Sequence, residues 1–253
     1  MQRQNLRVWA KLAVNALYPP TCMTCPTLVE DHGALCPECW RATPFIFGTC
    51  CDQCGVPLPG DGVGVICDDC LTIARPWEQG RAVMLYGDRA RQILLGLKYY
   101  DRLDHAPMAA AWLARACQPM LRDDLLVTAV PLHWLRLIKR RYNQASVLSS
   151  QLARKQGLDH CPDLLTRTRH TGTQDARGRQ GRFANVAGAF AVHPKRAGRI
   201  MDRHILLVDD VMTSGATLAA ACDTLLGAGA ASVRVAVLAR VTRNRWANDG
   251  PQA

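Results

Sequence analysis

Two groups of residues in this chain have the types and the spacing to do chemistry. The first is built from cysteine. Eight cysteines stand in four Cys-x-x-Cys turns, Cys22-Met-Thr-Cys25, Cys36-Pro-Glu-Cys39, Cys51-Asp-Gln-Cys54 and Cys67-Asp-Asp-Cys70, with ten residues between the first two turns and twelve between the last two. One such turn sets two thiolates on the same side of a small cation, and two turns brought together complete a tetrahedron. Four turns therefore offer two four-thiolate sites, and zinc in a structural role is the expected occupant. A redox-active pair explains one turn but not the duplication, and iron–sulfur clusters use other spacings. Cys50 falls outside the pattern and reads as a spare thiol, while Cys117, Cys161 and Cys222 stand in apolar or helical contexts and read as small buried hydrophobes.

The second group is Ile205-Leu-Leu-Val-Asp209-Asp210-Val-Met-Thr213-Ser214-Gly215-Ala216-Thr217-Leu. An apolar strand delivers two adjacent carboxylates, and a turn of small residues then opens a helix. Backbone N–H groups of Thr213 to Thr217, with the hydroxyls of Thr213, Ser214 and Thr217, can surround a phosphate at the positive end of the helix dipole. Carboxylates beside a phosphate need a task of their own, and accepting hydrogen bonds from vicinal ribose hydroxyls or assisting a Mg2+ ion supplies one. The plainer alternative is a helix cap next to a buried acidic pair.

Apolar strands alternating with helices must hold these residues. Strands are expected at 82–86, 125–130, 205–208 and 233–239, and helices at 90–98, 103–121, 141–156 and 217–226. Such alternation predicts an α/β fold with a parallel sheet covered by helices, in which ligands sit at the carboxyl ends of the strands. Residues 1–20 read as an amphipathic helix, since Lys11 breaks the apolar run that a signal peptide needs; packing on the protein's own body is the first reading and a membrane-surface role the second. Residues 21–75 form the cysteine domain, residues 80–245 the larger one, and no apolar run reaches the ~18 residues needed to span a bilayer.

Charge separates the two domains. The chain carries a net charge of +10, yet residues 1–70 hold four basic and seven acidic side chains, and residues 134–203 hold fifteen basic and four acidic. Each zinc with four thiolates adds about −2, so the cysteine domain is not expected to grip nucleic acid by bulk charge. The basic stretch suits a phosphorylated ligand first and DNA second. Its aromatic residues, Trp134, Tyr142, Phe183 and Phe190, are too scattered for a dedicated single-strand groove.

The segment 205–218 resembles the phosphoribosyl-pyrophosphate (PRPP) motif of type I phosphoribosyltransferases. With Leu97-Lys98-Tyr99, Pro131-Leu-His133, Arg140-Arg-Tyr-Asn143-Gln144, Arg167–Gln174 and Arg182–Phe190 in order behind the cysteine turns, the chain from about Tyr18 to Ala239 resembles the ComF/GntX family of competence-associated proteins. The resemblance implies a type I phosphoribosyltransferase fold, a parallel sheet with flanking helices and a hood, preceded by a small double zinc ribbon. It implies that Asp209 and Asp210 hold the ribose hydroxyls of PRPP with Mg2+, and that Thr213, Ser214, Gly215, Ala216 and Thr217 cradle the 5′-phosphate. A pyrophosphate loop would follow Pro131, with Lys139, Arg140 and Arg141 as cationic neighbours. The Arg-rich stretch 167–182 would be a closing hood, whose Arg167, Arg169 and Arg182 meet charge on the departing pyrophosphate.

The resemblance further implies a cytoplasmic protein acting in DNA uptake during natural transformation, at the inner face of the membrane; single-stranded DNA and the translocation machinery are candidate partners. Three functions stay open: phosphoribosyl transfer to an unidentified acceptor, a PRPP-sensing or DNA-binding adaptor without turnover, and nucleobase salvage. Some nucleobase transferases place an aspartate where Thr213 stands, and a threonine cannot act as a general base at neutral pH. His133, His170 and His204 are the remaining candidate proton carriers.

Overall fold

The computed structural model describes residues 15, 17–99, 102–169 and 179–242. The helix expected over residues 1–20 lies almost wholly outside these, as do His170 and the middle of the expected hood. Seven strands are described: β1 (Gly80–Leu85), β2 (Leu126–Ala129), β3 (Asp159–His160), β4 (Leu165–Arg167), β5 (Phe190–Val192), β6 (His204–Met212) and β7 (Ser232–Arg240). Five of them form one sheet in the order β1-β7-β6-β2-β3, with every pairing parallel. β4 and β5 make a separate antiparallel ribbon.

The central strand shows why the sheet is covered on both faces. Ile205, Leu206, Leu207 and Val208 are all fully buried, and a strand sends alternate side chains to opposite faces. Ile205 and Leu207 join Val233, Val235 and Val237 in a core shared with helix Ala216–Gly227. Leu206 and Val208 join Ala236, Leu238 and Val127 in a second core shared with helices Ala106–Cys117 and Gln144–Gln156.

Three elements differ from expectation, each for a local reason. The helix expected over 103–121 is a helix Ala106–Cys117 flanked by 3-10 turns Leu103–His105 and Gln118–Met120, with Pro107 and Pro119 at the junctions. The helix expected over 141–156 starts at Gln144, because Arg141 takes a left-handed φ of 65° and the Asn143 side chain caps the Ala145 N–H at 3.1 Å. A separate helix, Trp134–Arg140, precedes the break. The strand expected over 205–208 runs on to Met212, since Val211 and Met212 still pair with Ala239 and Arg240; Asp209 and Asp210 therefore lie inside the strand.

The cysteine segment packs directly on this frame. Met23 belongs to the second core, and Phe45 stands between Trp40 and Trp112 with ring centroids 4.4 and 5.1 Å away. Cys51, Cys54 and Cys70 belong to the first core. Gly55, at φ 69°, lies so close to β1 that a Cβ there would sit 2.6 Å from the Ala82 nitrogen, which explains a glycine directly after Cys54.

Candidate functional site

The cysteines converge as two clusters, Cys22, Cys25, Cys36 and Cys39, and Cys51, Cys54, Cys67 and Cys70, with the sulfurs of each within 4.8 Å of one another. All twelve cysteines are free. Cys25 and Cys36 sulfurs lie 3.7 Å apart, Cys25 and Cys39 3.6 Å, and Cys54 and Cys67 3.6 Å. Four thiolates about 2.3 Å from a zinc ion subtend edges of about 3.8 Å, so the spacing is that of a tetrahedral metal cage and far from a disulfide. Backbone N–H groups of Cys36 and Cys67 donate to the sulfurs of Cys22 and Cys51, at 3.3 Å each. Burial pushes the Cys22 thiol up, but hydrogen bonds led by the Thr24 and Cys36 backbone outweigh it and bring the pKa down to about 6. Cys51 is lowered too, chiefly by hydrogen bonding from the Cys54 and Cys70 side chains. The two four-sulfur cages fit two structural zinc ions, which would supply the folding energy of a segment with little core of its own. Cys50 joins neither cluster, and Cys117, Cys161 and Cys222 are buried in the apolar cores.

The acidic pair sits near the carboxyl end of β6. Lys98, on helix Asp88–Tyr99, places its Nζ 2.6 Å from the Asp210 carboxylate. Asp209 accepts the Asp210 backbone N–H at 2.8 Å and retains some exposed surface. Desolvation is nevertheless the largest influence on its carboxyl; with the like charge of Asp210 it raises the pKa to about 7, against the lowering effects of Lys98 and Arg167. At neutral pH this carboxyl is poised between hydrogen-bond donor and acceptor.

Beyond the pair the chain turns sharply. Gly215 has φ 82°, and helix Ala216–Gly227 starts immediately after it. Two buried guanidinium groups brace the turn from behind. Arg240, at the end of β7, donates to the carbonyls of Met212, at 3.2 Å, and Thr213. Arg75 donates to the Ser214 carbonyl at 2.8 Å. Thr213 is exposed, Ser214 and Thr217 half-buried, and Gly215 and Ala216 buried.

The segment after β2 leaves the sheet beside the acidic pair, since Val130 N–H donates to the Val208 carbonyl at 2.9 Å. Asn143 donates back to the Val130 carbonyl at 2.9 Å, and the Tyr142 hydroxyl donates to the Leu97 carbonyl at 2.6 Å. Arg140 and Arg141 are thereby tied close to the exit of β2 and to the Lys98 helix. Lys139 lies on helix Trp134–Arg140.

The three expected hood arginines separate. Arg167, on β4, stacks over Phe190 at 5.3 Å and reaches Asp209 electrostatically. Arg169 instead donates to the carbonyls of Asn185 and Ala187 at 3.0 and 2.8 Å, closing the end of helix Arg179–Val186. Arg182 is exposed on that helix. Of the candidate histidines, His133 is buried and caps helix Trp134–Arg140. His204 pairs with the Ser232 hydroxyl at 2.8 Å, six residues before Asp210 on the same strand and so about 20 Å from it. That distance removes His204 as a proton carrier for this site.

The basic stretch is less uniform than its composition. Arg199 and Arg203 pair with Asp159 at 2.6 and 3.2 Å, and Arg196 with Asp163 at 2.9 Å. Arg203 directly precedes β6, so these pairs gather toward the end of the sheet opposite the carboxylates. Lys98 stood in the sequence only as part of a pattern, and Arg240 not at all. Arg75 marked only the end of the cysteine segment. Each acts on a residue remote in sequence, which no local spacing reveals.

Comparison with known proteins agrees with the fold and the cysteine clusters. Residues 13–71 match the double zinc ribbon domain and residues 120–250 the phosphoribosyl transferase domain. The fold and its cysteine clusters thus define a protein in which a double zinc ribbon precedes a phosphoribosyltransferase domain. The chain is 32% identical over 229 residues to the DNA utilization protein YhgH of Escherichia coli strain K12, covering 88% of this chain and 97% of that protein. It is 31% identical over 228 residues to the protein of that name in Salmonella typhi, with the same shares of each chain, 88% and 97%. Competence protein F of Haemophilus influenzae is 28% identical over 195 residues, 75% of this chain and 84% of that one. The chain belongs to the ComF/GntX family. No helix among the described residues is long and apolar enough to cross a membrane.

Proposed function

We propose that the chain binds PRPP with Mg2+ at the carboxyl end of β6 and transfers its phosphoribosyl group to an acceptor, and that it does so in the handling of DNA taken up by the cell. The observation that carries the reading is the juxtaposition of two features. A carboxylate pair, held by Lys98 at 2.6 Å from Asp210, stands immediately before a glycine turn whose carbonyls are drawn backward by Arg75 and Arg240. In this reading Asp209 and Asp210 accept the ribose hydroxyls, and residues 213–217 hold the 5′-phosphate with backbone N–H groups. Arg140 and Arg141, with Lys139, flank the pyrophosphate beside the exit of β2, and Arg167 meets the charge that develops as it leaves. Arg182, exposed on helix Arg179–Val186, would help cover the site and exclude water. Arg169 contributes by securing the hood helix. Mg2+ travelling with the substrate would draw charge off the pyrophosphate.

The names of the relatives, DNA utilization protein and Competence protein F, support the biological setting and a second reading, a DNA-binding adaptor in which PRPP is sensed. A cytoplasmic location at the inner face of the membrane and contact with the translocation machinery belong to the same proposal. Nucleobase salvage is less favoured, because no carboxylate stands at Thr213 and His204 is remote.

Calorimetric titration of PRPP and Mg2+ into the zinc-loaded chain tests the binding claim. One PRPP per chain is expected, with affinity falling at least tenfold in Asp209→Asn/Asp210→Asn; no heat at about 1 mM PRPP overturns it. Pyrophosphate release upon addition of single-stranded DNA would show a transferase with DNA as acceptor, whereas DNA bound without pyrophosphate release favours the adaptor.

A further inference from the structure

The turn at 213–215 is shaped by two arginines of different origin. In a planar trans peptide the C=O of one residue and the N–H of the next point in opposite directions. Drawing the carbonyls of Met212 and Thr213 toward Arg240, and that of Ser214 toward Arg75, turns the N–H groups of Thr213, Ser214 and Gly215 to the other side. A row of N–H groups facing one way is an anion-binding concavity. Arg240 belongs to β7 and to the transferase sheet itself. Arg75 does not: it lies five residues beyond Cys70, outside the sheet.

Arg75 is only 9% exposed and is held by the second cysteine cluster. Its guanidinium lies over the Trp77 ring at 5.4 Å, and the Trp77 indole N–H donates at 2.6 Å to the carbonyl of Gln53, between Cys51 and Cys54. The same guanidinium reaches the Cys70 side chain. Gly215 completes the fit, because a Cβ there would stand 2.7 Å from Arg75 Nη1 and 3.2 Å from the Trp77 ring. A continuous path of contacts thus runs from the Cys51-x-x-Cys54 turn through Trp77 and Arg75 to the backbone of Ser214. A zinc ion held on these four thiolates would carry about −2, and that charge would anchor a guanidinium beside it.

We propose that Arg75 is a positioning residue for the phosphate loop, through which the second cysteine cluster sets the direction of the Gly215 N–H. This rests on the reading of residues 213–217 as a phosphate loop, and it gives the second ribbon a part in ligand binding that the first does not share. The first cluster, by contrast, seats against helix Ala106–Cys117 through Trp40, Phe45 and Trp112.

The test compares the full zinc-loaded chain with Arg75→Ala and Arg75→Lys. Without ligand, the 15N amide signals of Ser214 and Gly215 are expected to move in Arg75→Ala while zinc content and the signals of β3 stay unchanged. With ligand, Arg75→Ala is expected to weaken ribose 5-phosphate about tenfold and to leave magnesium pyrophosphate within about twofold; Arg75→Lys, which keeps a donor, recovers part of the loss. A merely structural role would weaken both ligands together and would not be rescued by lysine. Unmoved signals, or ribose 5-phosphate bound as tightly by Arg75→Ala as by the wild type, overturn the proposal. Should Arg75→Ala not fold, Arg75→Lys and Trp77→Phe, which removes the indole donor, are expected to move the same two signals, and unmoved signals there count equally against it. A wild-type chain that binds neither PRPP nor ribose 5-phosphate refutes the PRPP reading, and the ligand-free signals still decide the role of Arg75.

Discussion

Replacing Asp209 by asparagine is expected to make the chain more stable while removing its ligand affinity, and the stability effect has a definite pH dependence. An unfolded aspartate ionises near 3.8, and Asp209 in the folded chain near 7, chiefly through desolvation and then the Asp210 charge. A carboxyl whose folded pKa is raised favours the folded state fully below the unfolded pKa, and this advantage is lost as pH climbs through the folded one. At about 1.4 kcal/mol per pH unit between the two values, ionised Asp209 costs up to about 4 kcal/mol at pH 8, of which about 2 kcal/mol has already been incurred at pH 5.5. Asparagine keeps an acceptor for the Asp210 N–H, which Asp209 takes at 2.8 Å, and cannot ionise. The difference in unfolding free energy between Asp209→Asn and wild type should therefore grow by about 2 kcal/mol from pH 5.5 to pH 8. For a chain of this size that is a change of about 4–8 °C in the melting difference. Thermal or urea unfolding of the zinc-loaded proteins at both pH values measures it. A difference that is the same at pH 5.5 and 8, or that shrinks, would show that Asp209 is not a desolvated carboxylate and would remove the physical basis for its role.

Other perturbations follow from the same contacts. Lys98→Met leaves the Asp210 carboxylate, 2.6 Å from Lys98 Nζ, without that partner beside a second acid; it should cost about 3 kcal/mol of stability at pH 8, measured by urea unfolding. Gly215→Ala forces a Cβ into Arg75 at a φ of 82° and should cost about 1–2 kcal/mol while lowering ribose 5-phosphate affinity at least tenfold by calorimetry. Elemental analysis should find two zinc ions per chain, from the two clusters, and a strong chelator should unfold the ribbon first, seen as loss of fluorescence shift at Trp40 and Trp77. If the basic stretch grips single-stranded DNA, each phosphate contact adds roughly 0.7 to the log–log salt slope. The pairing of Arg196, Arg199 and Arg203 with Asp159 and Asp163 predicts that charge-neutral substitutions of these three leave that slope unchanged.

What could be read from the sequence was what lies close together along it. Each zinc site is built from two Cys-x-x-Cys turns, so the turns already fix half its geometry. The acids and the glycine turn likewise follow one another on a single strand and loop. The parallel sheet and its strand character followed from apolar runs such as Ile205–Val208, although the strand extends to Met212 because β7 continues beside it, and the order of the strands was not legible. The supports of the site were hidden for the opposite reason. Arg75 and Ser214 are 139 positions apart, and only the packing of the second ribbon against β1 brings them together. The concentration of positive charge in 134–203 was real, but composition gave no sign that part of it is paired with Asp159 and Asp163 toward the far end of β6. Nor did helical periodicity reveal the break at Arg141, which depends on one left-handed residue and the Asn143 cap.

A crystal structure of the zinc-loaded chain with PRPP and Mg2+ tests the central claim most directly. The account predicts the 5′-phosphate against the N–H groups of residues 213–217, the ribose hydroxyls on Asp209 and Asp210, and the pyrophosphate beside Arg140, Arg141 and Arg167. PRPP bound elsewhere, with the 213–217 loop occupied by nothing but solvent, would contradict it.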